Sequence, residues 1–114
     1  MCVVLLNIAG VAFAKELTES DKITYLLNTV GNAHVMFQRN GKNYSATEAK
    51  DHLKMKLDKA GDRIKTADAF IDYIASKSSM TGEPYYIILA DGKKVPSAEW
   101  LHAKLDGLEK TKKH

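Results

Sequence analysis

Four histidines and one cysteine make up most of this chain's supply of nucleophiles, bases and soft metal ligands, and their spacing decides which chemistries are open. Cys2 lies in the apolar stretch Met1 to Ala14, so once that stretch is removed there is no thiol nucleophile. Ser78-Ser79 lacks the Gly-x-Ser-x-Gly surroundings of a nucleophile elbow. Serine catalysis would need His52 or His102 delivered to that loop by the fold, whereas loop serines ordinarily cap and turn the backbone. Glu48 and His52 stand one helical turn apart and could share an ion, yet no HxH, HExxH or cysteine pair supplies further ligands. Neither GxGxxG nor GxxxxGK occurs to cradle a phosphate. No catalytic residue, metal or cofactor is therefore assigned. Within the stretch Arg39 to Leu57, turn and cap geometry explains Asn40, Ser45 and Glu48 and leaves Arg39, His52 and Lys56 without a structural task.

The elements that must position them are legible. Asn40-Gly41 suits a two-residue hairpin turn, because both central residues need positive φ. Ser45 and Glu48 form a capping box that opens a helix running to about Ala60. Ala46, Ala49, Leu53, Leu57 and Ala60 share one narrow sector of that helix, and His52 and Lys56 flank it, so the pair is placed to line the mouth of a groove. Upstream, Thr18 with Asp21 caps a first helix to about Asn32 that buries Ile23, Leu26, Leu27 and Val30, with Gly31-Asn32 as its stop. Ala33 to Gln38 reads as a strand, returning through Lys42 to Tyr44. Downstream, Gly61-Asp62 ends the second helix. Thr66 and Asp68 open a third, with Ala67, Phe70, Ile71 and Ile74 buried. Lys77 to Pro84 is a loop punctuated by Gly82 and Pro84. Tyr85 to Leu89 is the strongest strand and belongs at the centre of the sheet. Asp91-Gly92 repeats the hairpin signal, and Ser97 caps a last helix carrying Trp100, Leu101 and Leu105. The order is α-ββ-α-α-ββ-α, an α+β domain over residues 15–109 with an antiparallel sheet covered by helices on one face. Phe37, Tyr44, Phe70 and Trp100 read as core.

Met1 to Ala14, ending Ala-Phe-Ala, reads as a signal peptide cleaved after Ala14. It is shorter than the ~20 residues of a bilayer span and no second apolar run follows, so no stable membrane insertion is expected. No Lys or Arg precedes it; the competing reading is a buried N-terminal element. Without cysteines, the exported domain must be held by its core. Of 17 Lys and Arg, three are Lys110, Lys112 and Lys113, which leaves 14 against 14 Asp and Glu. The excess charge thus sits in residues 110–114, read as a basic disordered tail. The body is neutral, so a nucleic-acid partner is not expected.

Arg39-Asn40-Gly41, Tyr44, Glu48-Ala49, His52-Leu53 and Lys56, then Thr66-Ala67, Phe70-Ile71, Ser78-Ser79, Thr81-Gly82, Pro84-Tyr85, Ser97 and Trp100-Leu101 resemble the YfeK-like family of small exported bacterial proteins of unknown function. The similarity spans roughly Ile23 to Leu105. It implies a periplasmic protein with no established activity. Some members carry a cysteine where this chain has Val35 and another where it has Leu89. A disulfide between them implies that Val35 and Leu89 are neighbours and that the first strand pairs with the third.

A second, shorter resemblance lies in Thr81-Gly82-Glu83-Pro84-Tyr85, which is similar to the SGxxY loop of bacterial periplasmic lysozyme inhibitors, with Thr in place of Ser. There the hydroxyl residue and the tyrosine enter the enzyme's cleft, and a stiff loop with few rotors to freeze suits that task. Against it stands the structural alternative, a turn that leads Tyr85 into a core strand. The reading carried forward is an exported, envelope-associated binding protein rather than an enzyme. Arg39, His52, Lys56, Ser78, Ser79, Thr81, Gly82 and Tyr85 are its candidate binding residues, and a periplasmic protein is the expected partner. The alternatives are an inhibitor of a cell-wall hydrolase and, third, a small hydrolase. Oligomeric state stays open.

Overall fold

The computed structural model describes residues 17–112; the segment read as a signal peptide and the last residues of the basic tail lie outside them. Helix α1, Glu19–Asn32, starts at the expected capping box. Thr18 Oγ1 accepts from Asp21 N (3.0 Å), and Asp21 Oδ2 accepts from Thr18 N (3.1 Å). Ile23, Leu26 and Val30 are buried. Gly31 does not stop this helix: the cap is Ala33, in extended backbone. The missing side chain has a different use, because a Cβ on Gly31 would sit 2.7 Å from Lys50 Cδ, where the lysine stem crosses α1.

Strands β1, Met36–Arg39, and β2, Lys42–Tyr44, are joined by Asn40 (φ 53°) and Gly41 (φ 78°), both left-handed as a type I′ turn requires. Helix α2, Ala46–Ala60, opens with Ser45 Oγ accepting from Glu48 N (3.2 Å) and Glu48 Oε1 accepting from Ser45 N (2.9 Å). It ends at Gly61 (φ 57°, ψ −131°), a conformation that side chains disfavour, and a 3₁₀ turn, Gly61–Arg63, follows.

Helix α3, Ala67–Ala69, is capped by Thr66 and runs into a π-helical turn, Phe70–Ile74, in which Ala75 N donates to Phe70 O (3.1 Å). Glu19 Oε1 accepts from Ala67 N (2.8 Å), while its Oε2 meets Lys22 (3.2 Å), whose ammonium also reaches Glu109 (3.0 Å). One acidic residue of α1 thereby ties together the starts of α1 and α3 and the end of the last helix.

Strands β3, Tyr86–Ile88, and β4, Lys94–Pro96, lead into α4, Ser97–Lys112. The second hairpin differs from the first. Gly92 (φ 88°) is left-handed but Asp91 is not, and Asp91 Oδ1 accepts from Lys93 N (2.9 Å), so this is a longer turn with glycine at its end. Helix α4 continues through Lys112, into the segment read as a tail.

The sheet order is β2-β1-β3-β4, all antiparallel, so β3 is central as expected. Phe37 and Ile87 face the helices, where Leu26, Val30, Leu53, Phe70, Ile71, Leu101 and Leu105 complete the core. Met36 lies on the opposite face and is exposed. The single α+β domain read from the pattern is the fold observed.

Carried one residue beyond Met36↔Ile88, the β1–β3 register sets Val35 opposite Leu89, as the family resemblance implied. Antiparallel partners stand ~4.5–5.5 Å apart at Cα, inside the range a disulfide spans. In a Cys2→Ser background, Val35→Cys with Leu89→Cys is expected to oxidise to an intramolecular cross-link and gain ~2–4 kcal/mol of stability. Non-reducing mass spectrometry checks the bond, and two free thiols after oxidation would contradict the register.

Candidate functional site

Strand parity and helix spacing bring four side chains together. One step past Gln38↔Tyr86, Arg39 stands opposite Tyr85, and both share the helix-facing side of the sheet with Phe37 and Ile87. His52 and Lys56 project toward them from α2. Tyr85 is buried, at 7% exposure, and its hydroxyl is the meeting point. Lys56 Nζ donates to Tyr85 Oη (2.9 Å), Ile74 O (2.7 Å) and Lys77 O (3.0 Å), and His52 Nε2 lies 3.2 Å from the same phenol oxygen.

The chemistry of these partners orders the protons. An ammonium only donates, so Tyr85 Oη accepts from Lys56. Among the described residues the buried phenol proton has no acceptor in reach except His52 Nε2, which places the ring proton of neutral His52 on Nδ1. Burial acts on all three groups. It lowers His52, helped by the charges of Arg39 and Lys56. It pushes Lys56 down to about 8, again with Arg39 contributing. It raises the Tyr85 phenol, against the pull of Arg39.

Arg39 occupies the other side. Its guanidinium lies 4.5 Å from the centroid of Tyr44, a cation–π contact, and makes no ion pair among the described residues. Beside it a cleft of ≈ 40 Å³ opens between the sheet and α2, floored by Phe37, Ala49 and Leu53, with His52 and Tyr85 at its wall. Glu48 is the one carboxylate in the lining, and its Oε1 is held by Ser45 N. A second, larger groove of ≈ 390 Å³ lies beyond Lys56, lined by Lys59, Arg63, Tyr73 and Ser79 among others.

The remaining candidates from the sequence separate from this cluster. Ser78 is buried, and its Oγ accepts from Met80 N and Thr81 N (both 3.3 Å) and from Asn40 Nδ2 (3.4 Å). Thr81 Oγ1 donates to Asn40 Oδ1 (2.7 Å), and Gly82 (φ 77°) turns the chain back. Ser78, Thr81 and Gly82 thus build the loop and fasten it to the first hairpin. Ser79 is exposed and faces the second groove. The inhibitor-like motif does not present its tyrosine: Tyr85 is buried with its hydroxyl against Lys56 and His52, and Thr81 Oγ1 is tied to Asn40. No histidine bonds either serine among the described residues. His102 instead meets Asp72 (3.0 Å) and Asp68 (3.5 Å) on an exposed surface outside both clefts. Among the described residues no three His, Cys, Asp or Glu side chains gather to hold a metal, and no helix is long and apolar enough to cross a membrane.

Sequence reasoning missed Tyr44 beneath Arg39, and Lys59, Arg63 and Tyr73. The helix itself carried a signal for two of them, because His52, Lys56, Lys59 and Arg63 recur at i, i+4, i+7 and i+11.

Lys56 gives the cluster a measurable pH dependence. Its folded pKa of about 8 lies below the ordinary 10.5, so between those values the unfolded chain holds a proton that the folded chain has released, and stability rises with pH. Relative to Lys56→Met, the native chain is expected to gain stability from about pH 8 up to ~9.5, before phenols ionise. Denaturant midpoints across that range check it, and parallel profiles would contradict it. Tyr85→Phe is expected to cost about 1–3 kcal/mol by stripping one acceptor from the half-buried ammonium.

Comparison with known proteins places this chain in a family. Residues 17–109 match the model of a family of unknown function, DUF5329. The uncharacterized protein YfeK of Salmonella typhimurium (strain LT2) is 43% identical over 68 residues, covering 59% of this chain and 57% of that protein. The aligned segment thus spans little more than half of that relative's length. No solved structure matches. The resemblance read from the motifs is borne out: this chain belongs to the DUF5329 family of unknown function.

Proposed function

We propose that this protein is an exported, envelope-associated binding module that captures an anionic group at the Arg39–His52 cleft, and that it performs no catalysis there. The observation that supports the reading is the unmatched positive charge of Arg39. Its guanidinium rests on Tyr44 with no ion pair among the described residues, at the mouth of a cleft with an apolar floor. A guanidinium in that position offers a planar fork to a carboxylate or phosphate. His52, kept neutral by burial and by Arg39 and Lys56, supplies a further donor at Nδ1 and becomes easier to protonate when an anion arrives. Lys56 is not the ligand-binding cation of this cleft. Its donors are spent on Ile74, Lys77 and Tyr85, and it holds the wall in place.

A cleft of ≈ 40 Å³ has room for a small anionic head and not for a whole organic ligand, so the body of the ligand lies outside it. The exported compartment in this reading rests on the apolar Met1 to Ala14 stretch, which reads as an export signal. The partner is then a periplasmic molecule, protein or otherwise, that presents a carboxylate or phosphate.

The His52 imidazole is a built-in reporter. Titrating it by NMR in acetate or inorganic phosphate, against chloride at equal ionic strength, is expected to show the anion raising its pKa toward the ordinary 6.5. Arg39→Gln should abolish the anion's effect while itself raising the imidazole pKa, because one positive neighbour is gone. An imidazole pKa indifferent to both anions would remove the cleft as a binding site.

A further inference from the structure

We infer that the groove beyond Lys56 is a second binding site, and that its ligand is a saccharide unit bearing a carboxylate. The groove runs between the end of α2 and the π-helical turn and is lined by Lys56, Lys59, Arg63, Ile64, Tyr73 and Ser79, with Ala60 and Ile74 beneath. Its volume of ≈ 390 Å³ falls in the range of small-ligand sites, where the Arg39 cleft does not. All the charged side chains in its lining are cations.

The cations are not equivalent. Lys56 is committed to the wall. Arg63 donates through Nε to Ala60 O (3.1 Å) and through one terminal nitrogen to Lys59 O (3.4 Å), so its plane is held against the end of α2 while its other terminal nitrogen stays available. The Lys59 ammonium makes no hydrogen bond or ion pair among the described residues. Cations at the end of a helix complement its dipole, and that alone would account for Lys59 and Arg63. It does not account for Tyr73. This aromatic ring is 72% exposed on the π-helical turn, a feature that often marks functional positions, and it faces a groove floored by Ile64 and Ile74.

An exposed aromatic face beside the held Arg63 guanidinium, the Lys59 ammonium and the loop hydroxyl of Ser79 suits one ligand chemistry best. The C–H face of a sugar ring stacks on tyrosine, its hydroxyls take Ser79, and an acidic substituent meets Arg63 and Lys59. A bare anion would have no use for the ring, and a neutral sugar no use for the charges. The groove stands independently of the Arg39 cleft, from which Lys56 and Tyr85 separate it.

The test is an amide NMR titration of the labelled protein with a galacturonic acid tetramer as probe. Saturable shifts are expected at Lys59 to Ile64 and at Tyr73, with affinity falling about tenfold in Arg63→Gln and in Tyr73→Ala, and unchanged in Arg39→Gln. All three side chains are exposed or half-exposed, and a matching far-UV spectrum confirms that each variant folds. Equal binding of a neutral galactose tetramer would overturn the acidic assignment. Inorganic phosphate binding as well as the tetramer, with Tyr73→Ala silent, would overturn the saccharide. A short oligodeoxynucleotide binding more tightly than the tetramer would overturn it in favour of nucleic acid. Shifts that vanish in Arg39→Gln would place the ligand in the cleft, and no saturable shift at all would remove the site.

Discussion

The arrangement depends on a single ammonium. Lys56 Nζ is tied at once to the end of the π-helical turn through Ile74 O, to the start of the loop through Lys77 O, and to the sheet through Tyr85 Oη. A charged amine in that position is costly to bury, and it is tolerated because three acceptors replace the water it has lost. The two carbonyls belong to a chain that has just left a helix, where backbone acceptors lack intrahelical donors, so cation and carbonyls solve each other's problem. Through this contact α2 determines where the sheet, the π-helical turn and the loop meet. Both clefts are consequences of it, since Lys56 and Tyr85 form the partition between them.

Register supplies the second constraint. Strands β1 and β3 are neighbours in the sheet although a long helical segment separates them in the chain. With Gln38 opposite Tyr86, Arg39 and Tyr85 fall on the same side, and that side faces α2. A one-residue slip of β1 would send Arg39 to the open face together with the core residue Phe37 and leave Tyr85 and Ile87 behind, so burial of the core and assembly of the site are the same event. Asn40 extends this economy. Its backbone adopts the left-handed turn, and its side-chain amide fastens the Ser78–Thr81 loop, so one residue shapes the hairpin and holds the segment that leads into Tyr85.

Charge illustrates what composition conceals. The body is balanced in Lys, Arg, Asp and Glu, yet His52, Lys56, Lys59 and Arg63 lie along one side of α2 and its 3₁₀ extension, and Arg39 joins them from β1. Asp51, Asp58 and Asp62 fall on a neighbouring sector of the same helix, which neutralises the total without neutralising the stripe. A sum over the chain therefore misrepresents the field a ligand would meet, because that field is set by which charges share a surface.

The sequence by itself determined the elements and their punctuation. The capping boxes at Thr18 and Ser45, the Asn40-Gly41 turn, the glycine stop at Gly61 and the buried stripe of Ala67, Phe70, Ile71 and Ile74 all rest on interactions between residues a few positions apart. The chain's local stereochemistry is enough to specify such features. Even there it stopped short: nothing local distinguishes Gly31 as a helix stop from Gly31 as a crossing point for Lys50, or the Asp91-Gly92 turn from a two-residue one. Arg39, His52 and Lys56 stood out in sequence because caps and turns left them unexplained, but their convergence on Tyr85 did not. That convergence required the β1–β3 pairing and the packing of α2 on the sheet. The inward direction of Tyr85 and the groove around Tyr73 were likewise decided only in three dimensions, where burial and the partners of each polar atom are settled between segments far apart in the chain.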